Sequence, residues 1–436
     1  MKLSNFNLIV PLGEKRILFN TLSGHCVEIE EEVANLISSN KIDLLSPQLV
    51  RDFVNLGIIV EEAYNETSVI KYYHDKEKYS SNMLLSTVLL TWGCNLKCVY
   101  CFEGSDHNFH NMNFTEANKY IKFLKKQAIE NRYGHISICL FGGEPLLNFD
   151  MAKYILDEVR DFCEKNDLTY SCFVITNGTL LSDEVLEVLL YHHCNMIQVT
   201  LDGIKETHDS RRMYKNAQGS FDDIIANLKM LNARKNDVHS VIRVNIDKTN
   251  LAETYALLKY IGKNGMNLTN CTVDFGIVRG STESCAAYSG HCLVEEEIGE
   301  VLYDLWSAAE AEGFKYNIRP MRKWLYCGLY SDNQFTVTPD CEVYKCWEHA
   351  GQKEHLMGTI DEDGNLVNIQ NTFYEWMSHD PLAIKECRNC VYLPVCGGGC
   401  GVISYNKEKN YHAPGCFKVK GVVEKQLLKY FEDVLR

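Results

Sequence analysis

Three cysteines, Cys94, Cys98 and Cys101, fall within eight residues in "TWGCNLKCVYCFEG", residues 91–104. Three thiols on one loop are one fewer than a closed structural zinc tetrahedron takes. They are also one fewer than a cubane [4Fe–4S] cluster takes when every iron has its own thiolate. A cubane held at three corners leaves one iron free to chelate a small molecule. Zinc with a distant fourth ligand is the other reading, and spacing by itself leaves both open. Eight more cysteines gather towards the C-terminus: Cys327, Cys341, Cys346, Cys387, Cys390, Cys396, Cys400 and Cys416. The other eight are scattered singly, and a lone free cysteine behaves as a small buried hydrophobe.

The stretch around the first group must be held by regular elements. From about 84 to 280, apolar strand-like runs alternate with helical patterns: 84–91, 135–141, 170–176, 195–201, 239–246 and 271–278. In 115–131, Ala117, Tyr120, Ile121, Leu124 and Ala128 recur at helical spacing and form one apolar face. Ser182, Ser220 and Asn250 are suitable N-caps for later helices. Buried strands joined by helices predict parallel βα units, and six of them predict an open, partial (β/α)6 barrel. Five strand ends carry Gly, Asn, Asp or Cys: "TWGC", "GGEP", "NGT", "LDG" and "NIDKTN". In β/α barrels the C-terminal strand ends build the active site.

Residues 1–80 read as a separate unit, with three short strand-like runs and then two helical patterns, a winged-helix-like order; 61–82 reads as a linker or linking helix. From about 320 to 436 the pattern dissolves into short strands, turns and cysteines, closed by an amphipathic helix at 421–435. The expected units are therefore 1–80, 84–310 and 320–436.

Composition narrows the partners. The chain has 436 residues and a net charge of -14, from 58 acidic against 44 basic side chains. Nucleic acid and anionic membranes reward clustered Lys and Arg, so neither is expected as a partner. The N-terminal residues lack the pattern of a signal peptide, and no apolar run is long enough to span a bilayer. The expected location is the cytoplasm, where thiols stay reduced and clustered cysteines point to metal rather than disulfides.

"CNLKCVYC", C-x3-C-x2-C with Tyr100 before the third cysteine, resembles the signature of radical S-adenosylmethionine (SAM) enzymes. The resemblance implies a [4Fe–4S] cluster on Cys94, Cys98 and Cys101 whose open iron chelates SAM. It implies reductive cleavage of SAM to a 5'-deoxyadenosyl radical that abstracts a substrate hydrogen, fed by an electron donor such as flavodoxin or ferredoxin. "FGGEP" resembles the family's second element: Gly142 and Gly143 would let the methionine part approach, and Glu144 would accept from its ammonium. Thr176 and Asn177 stand where the family often contacts the ribose. Thr200 and Asp202 of "TLDG", with "HDSRR" (208–212) and Arg243 of "RVN", resemble further rim elements. No catalytic acid or base is assigned.

The C-terminal cysteines resemble a SPASM domain, which implies two auxiliary [4Fe–4S] clusters and three in all. By that resemblance Cys327, Cys346 and Cys400 hold the first, and Cys387, Cys390, Cys396 and Cys416 the second. Cys341 departs from the pattern: it stands where the family has glycine, in the turn of "TVTPDCEVYKC". A cysteine at positive φ costs roughly 1 kcal/mol. Ligation of the first auxiliary cluster by Cys341 would offset that cost; a cluster open towards substrate is the rival. Family members with this domain mostly act on polypeptides. One branch oxidises sulfatases and has an acidic residue directly after the cysteine matching Cys346, where this chain has Trp347. Another crosslinks ribosomally made precursor peptides and often begins with a small leader-binding module. The expectation is a peptide maturase, with a Cys thioether as the bond and a leader-bearing precursor as partner. Sulfatase-type oxidation, a C–C crosslinking or epimerising maturase, and a non-catalytic zinc protein are the alternatives.

Overall fold

The computed structural model describes residues 1–104, 110–266, 270–280, 282–316 and 318–435. Its N-terminal part contains β1 (Lys2–Leu3), β2 (Asn7–Leu12), β3 (Lys15–Asn20) and β4 (Cys26–Ile29), then helices Glu31–Ser38 and Pro47–Asn55. β2, β3 and β4 form an antiparallel sheet, and β5 (Ile59–Val60) returns to pair with β1. Side chains alternate across β3. Leu18 faces a core with Ile29, Ala34, Ile37 and Phe53. Ile17 and Phe19 face the opposite way, onto Val395, Val419 and Leu427 of the C-terminal part. The stretch read as a linker holds the helix Glu66–Tyr79, which buries Ile70, His74 and Lys78.

The six expected strands are all present: β6 (Met83–Leu89), β8 (His135–Phe141), β9 (Thr169–Thr176), β10 (Cys194–Thr200), β12 (His239–Ile246) and β13 (Cys271–Ile277). They lie in the order β13-β12-β10-β9-β8-β6 with every neighbour parallel. β7 (Leu96–Cys98) and β11 (Arg212–Tyr214), two short strands on the rim, pair with each other antiparallel. The helix expected at 115–131 runs Phe114–Glu130 and buries the five apolar residues named above. Ser182 caps its helix through the Val185 N–H, 3.3 Å away. Ser220 does not act as a cap: its hydroxyl donates to the Arg212 carbonyl at 2.6 Å.

The C-terminal part is not a detached unit. β14 (Gln334–Val337) adds in parallel to β6, and β15 (Glu342–Tyr344), β16 (Gly358–Ile360) and β17 (Leu366–Val367) continue antiparallel, making one ten-stranded sheet. This juncture lay outside sequence reasoning because β14 pairs with a strand some 250 residues earlier. Among the described residues no helix is long and apolar enough to cross a membrane.

Candidate functional site

Cys94, Cys98 and Cys101 lie on the loop that leaves the C-terminal end of β6, so the six-stranded sheet delivers them to its rim. Burial pushes the Cys94 thiol up to about 12 and raises Cys98 and Cys101 as well. Buried thiols hold their protons unless a metal or a nearby cation stabilises the thiolate. One such cation is in place. Backbone pairing of β7 with β11 sets Arg212 opposite Cys98. Arg212 is buried, donates to the Tyr100 hydroxyl at 2.7 Å, and pulls the Cys98 thiol down against its burial. Asn177 Nδ2 donates to Cys94 Sγ at 3.8 Å and to Asn95 at 2.8 Å. Three thiols on one loop, with a cation and an amide turned to them, fit a cluster ligated at three corners.

The second element supports this loop. Gly142 has φ 125°, and a Cβ there would strike the Thr91 carbonyl; a Cβ on Gly143 would strike the Gly93 carbonyl. Backbone bonds follow from the same approach: Gly143 N–H to Thr91 O at 3.0 Å and Glu144 N–H to Gly93 O at 2.8 Å. The glycines thus admit the cysteine loop itself, a use the sequence reading assigned to cofactor. Glu144 is fully buried and accepts from Leu146 N–H (3.1 Å), Thr176 (2.7 Å) and Asn177 N–H (2.7 Å). A carboxylate has about four acceptor positions, of which the described residues fill three.

Tyr100 and Asp202 meet in a hydrogen bond, and Asp202 also accepts from the Asn245 N–H at 3.0 Å. Arg211 lies over the Tyr100 ring and pairs with buried Asp247 at 2.9 Å. Asp202 is therefore a buried hub behind the loop. Thr200 is buried at the end of β10, in register with Arg243, whose guanidinium pairs with Asp274 and donates to Asn245 at 3.1 Å. Arg211, Arg212 and Asn245 lie in the "HDSRR" and "RVN" stretches singled out from sequence, without the partners seen here; Asn95 was missed.

The C-terminal cysteines form two groups. Cys346 lies close to Cys400 and Cys327, and burial pushes the Cys327 thiol up to about 12. Cys387 has Cys396, Cys416 and Cys390 as neighbours and is also pushed up to about 12 by burial. Between Cys396 and Cys400, Gly397, Gly398 and Gly399 all take positive φ, and Cβ atoms there would run into Leu325, Pro381 and Gly415. Among the described residues no three His, Cys, Asp or Glu side chains are set to hold a single ion. A cubane asks less, since each thiolate meets a different iron.

Cys341 differs from expectation. The turn is there, with φ 59°. Its thiol, however, donates to the Glu116 carbonyl at 3.3 Å, and its charged neighbours are Lys119, Glu116, Asp340 and Glu362. Strand β15 lies between it and Cys346, whose own electrostatic neighbours are Glu348, Cys400 and Cys327. The two thiols are thus directed to different places, and burial with the thiol–carbonyl bond accompanies the left-handed backbone.

At the mouth, Trp92, Phe102, Glu103, Asp340, Glu342 and Glu348 line a cavity of about 600 Å³. Trp347 packs with Phe141, ring centroids 5.7 Å apart, and Glu348 pairs with Arg279.

Residues 88–261 match the Radical SAM superfamily model. Over that stretch the chain is similar to the radical SAM superfamily, and over most of its length it is similar to a sulfatase-maturating enzyme and to a radical SAM cyclopropyl synthase. The cysteine-type anaerobic sulfatase-maturating enzyme of Clostridium novyi (strain NT) is 26% identical over 339 residues, 73% of this chain and 87% of that protein. The radical SAM cyclopropyl synthase TigE of Paramaledivibacter caminithermalis is 24% identical over 433 residues, 88% of this chain and 85% of that protein. Two solved structures share the fold. Native anSMEcpe with bound AdoMet and Cp18Cys peptide has a TM-score of 0.61 at 18% identity, over 81% of this chain and 98% of that one. Streptococcus suis SuiB bound to its precursor peptide SuiA has a TM-score of 0.55 at 16% identity, over 95% of this chain and 98% of that one.

Proposed function

We propose that this enzyme uses SAM and the cluster of Cys94, Cys98 and Cys101 to modify a ribosomally made precursor peptide, with a Cys thioether as the bond formed. The bound cluster supplies the electron that cleaves SAM to the hydrogen-abstracting radical. The chain's own residues fix the thiolates: Arg212 balances Cys98, Asn177 donates to Cys94, and the Gly142–Gly143 backbone braces the loop. Glu144 keeps one acceptor position for the cofactor's ammonium.

One observation carries the peptide reading. The likeness to SuiB covers 95% of this chain, and the remaining 5% of 436 residues is about 22, so most of residues 1–80 fall inside it. The sulfatase-type likeness reaches 81%. Trp347 stands where that branch has its acidic residue, and the nearest carboxylate, Glu348, is engaged by Arg279. The Clostridium relative keeps protein oxidation as the second reading. Two auxiliary clusters accompany the first reading, one on Cys387, Cys390, Cys396 and Cys416, the other on Cys327, Cys346 and Cys400 with its fourth iron free of Cys341.

Residues 1–60 would hold the leader as an added strand on β4, which pairs only with β3 among the described residues. Asn20 N–H donates to the His25 carbonyl, so by antiparallel alternation Val27 and Ile29 bond inward and Glu28 N–H points to the free edge. Glu28→Pro removes that donor and leaves the β3–β4 ladder intact. Mass spectrometry should show modification of full-length precursor falling about tenfold, while a leaderless core peptide reacts as before. Equal loss on both peptides would sink the leader role.

A further inference from the structure

Residues 1–80 do more than sit beside the C-terminal cysteines. Buried Cys387 shares a core with Phe6, Leu22 and Ile70 from the N-terminal part, and with Leu382, Ile384 and Leu393. Buried Cys396 shares another with Val10, Ile17 and Phe19. The outward face of the three-stranded sheet thus packs on Val395, Val419 and Leu427 together with Cys396. Polar contacts fix the same seam. Thr21, with no exposed surface, donates to the Val391 carbonyl at 2.6 Å, between Cys390 and Cys396. Arg319 donates to the Gly24 carbonyl at 2.6 Å. Lys78 donates to the His379 carbonyl at 2.7 Å, and the Tyr73 ring stacks on Trp324 at 4.7 Å.

We infer that the N-terminal module is a structural wall of the second auxiliary cluster's site, keeping water and oxidants from the cluster held by Cys387, Cys390, Cys396 and Cys416. The inference rests on the reading that those cysteines hold a cluster. A surface whose sole task is to capture a peptide need not bury two of the four thiols. Solvent exposure and the surrounding hydrophobic shell set the potential and durability of such clusters. The wall also means that removing residues 1–80 would uncover the cluster, so a truncation does not isolate leader binding.

The test compares holoenzyme with Phe6→Ala/Leu22→Ala and, separately, with Thr21→Val, which keeps shape and loses only the hydroxyl. Iron and sulfide content are measured after anaerobic purification, and cluster loss is followed by Mössbauer spectroscopy during timed exposure to air. The double variant should lose one cluster on the order of tenfold faster than wild type, the scale by which residues packed around a metal's ligands change its affinity. Thr21→Val should act in the same direction but less, and the SAM-dependent spectrum of the first cluster should persist in both. Phe53→Leu, in the module's own core and away from the cysteines, should leave the loss rate at the wild-type value. Wild-type durability in both seam variants, or equal acceleration by Phe53→Leu, overturns the wall. A wild-type protein lacking the second auxiliary cluster overturns the ligand reading and the inference with it.

Discussion

The two cysteine regions are built from opposite materials. Around Cys94, Cys98 and Cys101 the neighbours are polar and charged: Arg212, Tyr100, Asp202, Asn177 and Arg211 with Asp247. Around Cys387 and Cys396 they are Phe6, Leu22, Ile70, Ile17 and Phe19. A buried cation lowers the cost of thiolate charge and sits well beside a site that exchanges an electron and a charged cofactor. An apolar wall raises that cost and keeps water out, which suits a cluster that is kept rather than turned over. The difference teaches that cysteine spacing alone does not define a cluster's task; the shell does.

The largest effect expected separates the regions outright. Replacing Cys94, Cys98 and Cys101 together with alanine should abolish 5'-deoxyadenosine formation and, with the two auxiliary clusters proposed above, remove about one third of the iron. Retention of all the iron would break the comparison at its root.

Next is the ionic shell. Arg211→Met leaves Asp247, which has no exposed surface, without its cation although Thr249 and Tyr288 still donate to it, and should lower stability by about 3 kcal/mol. Anaerobic chemical denaturation measures it, and a loss under about 1 kcal/mol would show the network to be dispensable.

The dry region should reveal itself through pH. His379 is buried, stacked on Tyr330 at 4.3 Å, and burial lowers its pKa to about 3. The unfolded chain takes up a proton below about 6.5 that the native imidazole refuses until about 3. Native stability therefore falls with pH through that window, by up to about 1.4 kcal/mol per unit from this group. His379→Phe keeps the stack and should flatten the decline in melting temperature between pH 6.5 and 5.5. An unchanged slope would mean that His379 is not held neutral.

The smallest effect concerns Cys341. Cys341→Gly relieves a left-handed backbone worth roughly 1 kcal/mol but forfeits a buried thiol and its bond to Glu116. Stability should move by less than about 1 kcal/mol, and iron content should not change. Loss of iron would restore Cys341 as a ligand.

Much of this was legible without coordinates. The six parallel strands announce themselves because each is an apolar run bounded by turn residues, and local chain stiffness suffices to define them. The positive φ at Cys341 follows from a three-residue hairpin loop, Pro339 to Cys341, closed by the Cys341 N–H to the Thr338 carbonyl, a local matter. The direction of its thiol does not, because that depends on the helix Phe114–Glu130 arriving from elsewhere.

By itself the sequence determined the three-thiol loop, the strand ends that carry it, the glycines of "FGGEP" and the grouping of the late cysteines. Each is fixed by residue type and short-range spacing. Only tertiary structure decided that Arg212 stands opposite Cys98, that β14 extends the six-stranded parallel sheet, and that Phe6 and Leu22 pack with Cys387. Those contacts join residues more than 100 positions apart. No local rule encodes such a meeting, because it is set by which apolar faces remain uncovered once every element has formed.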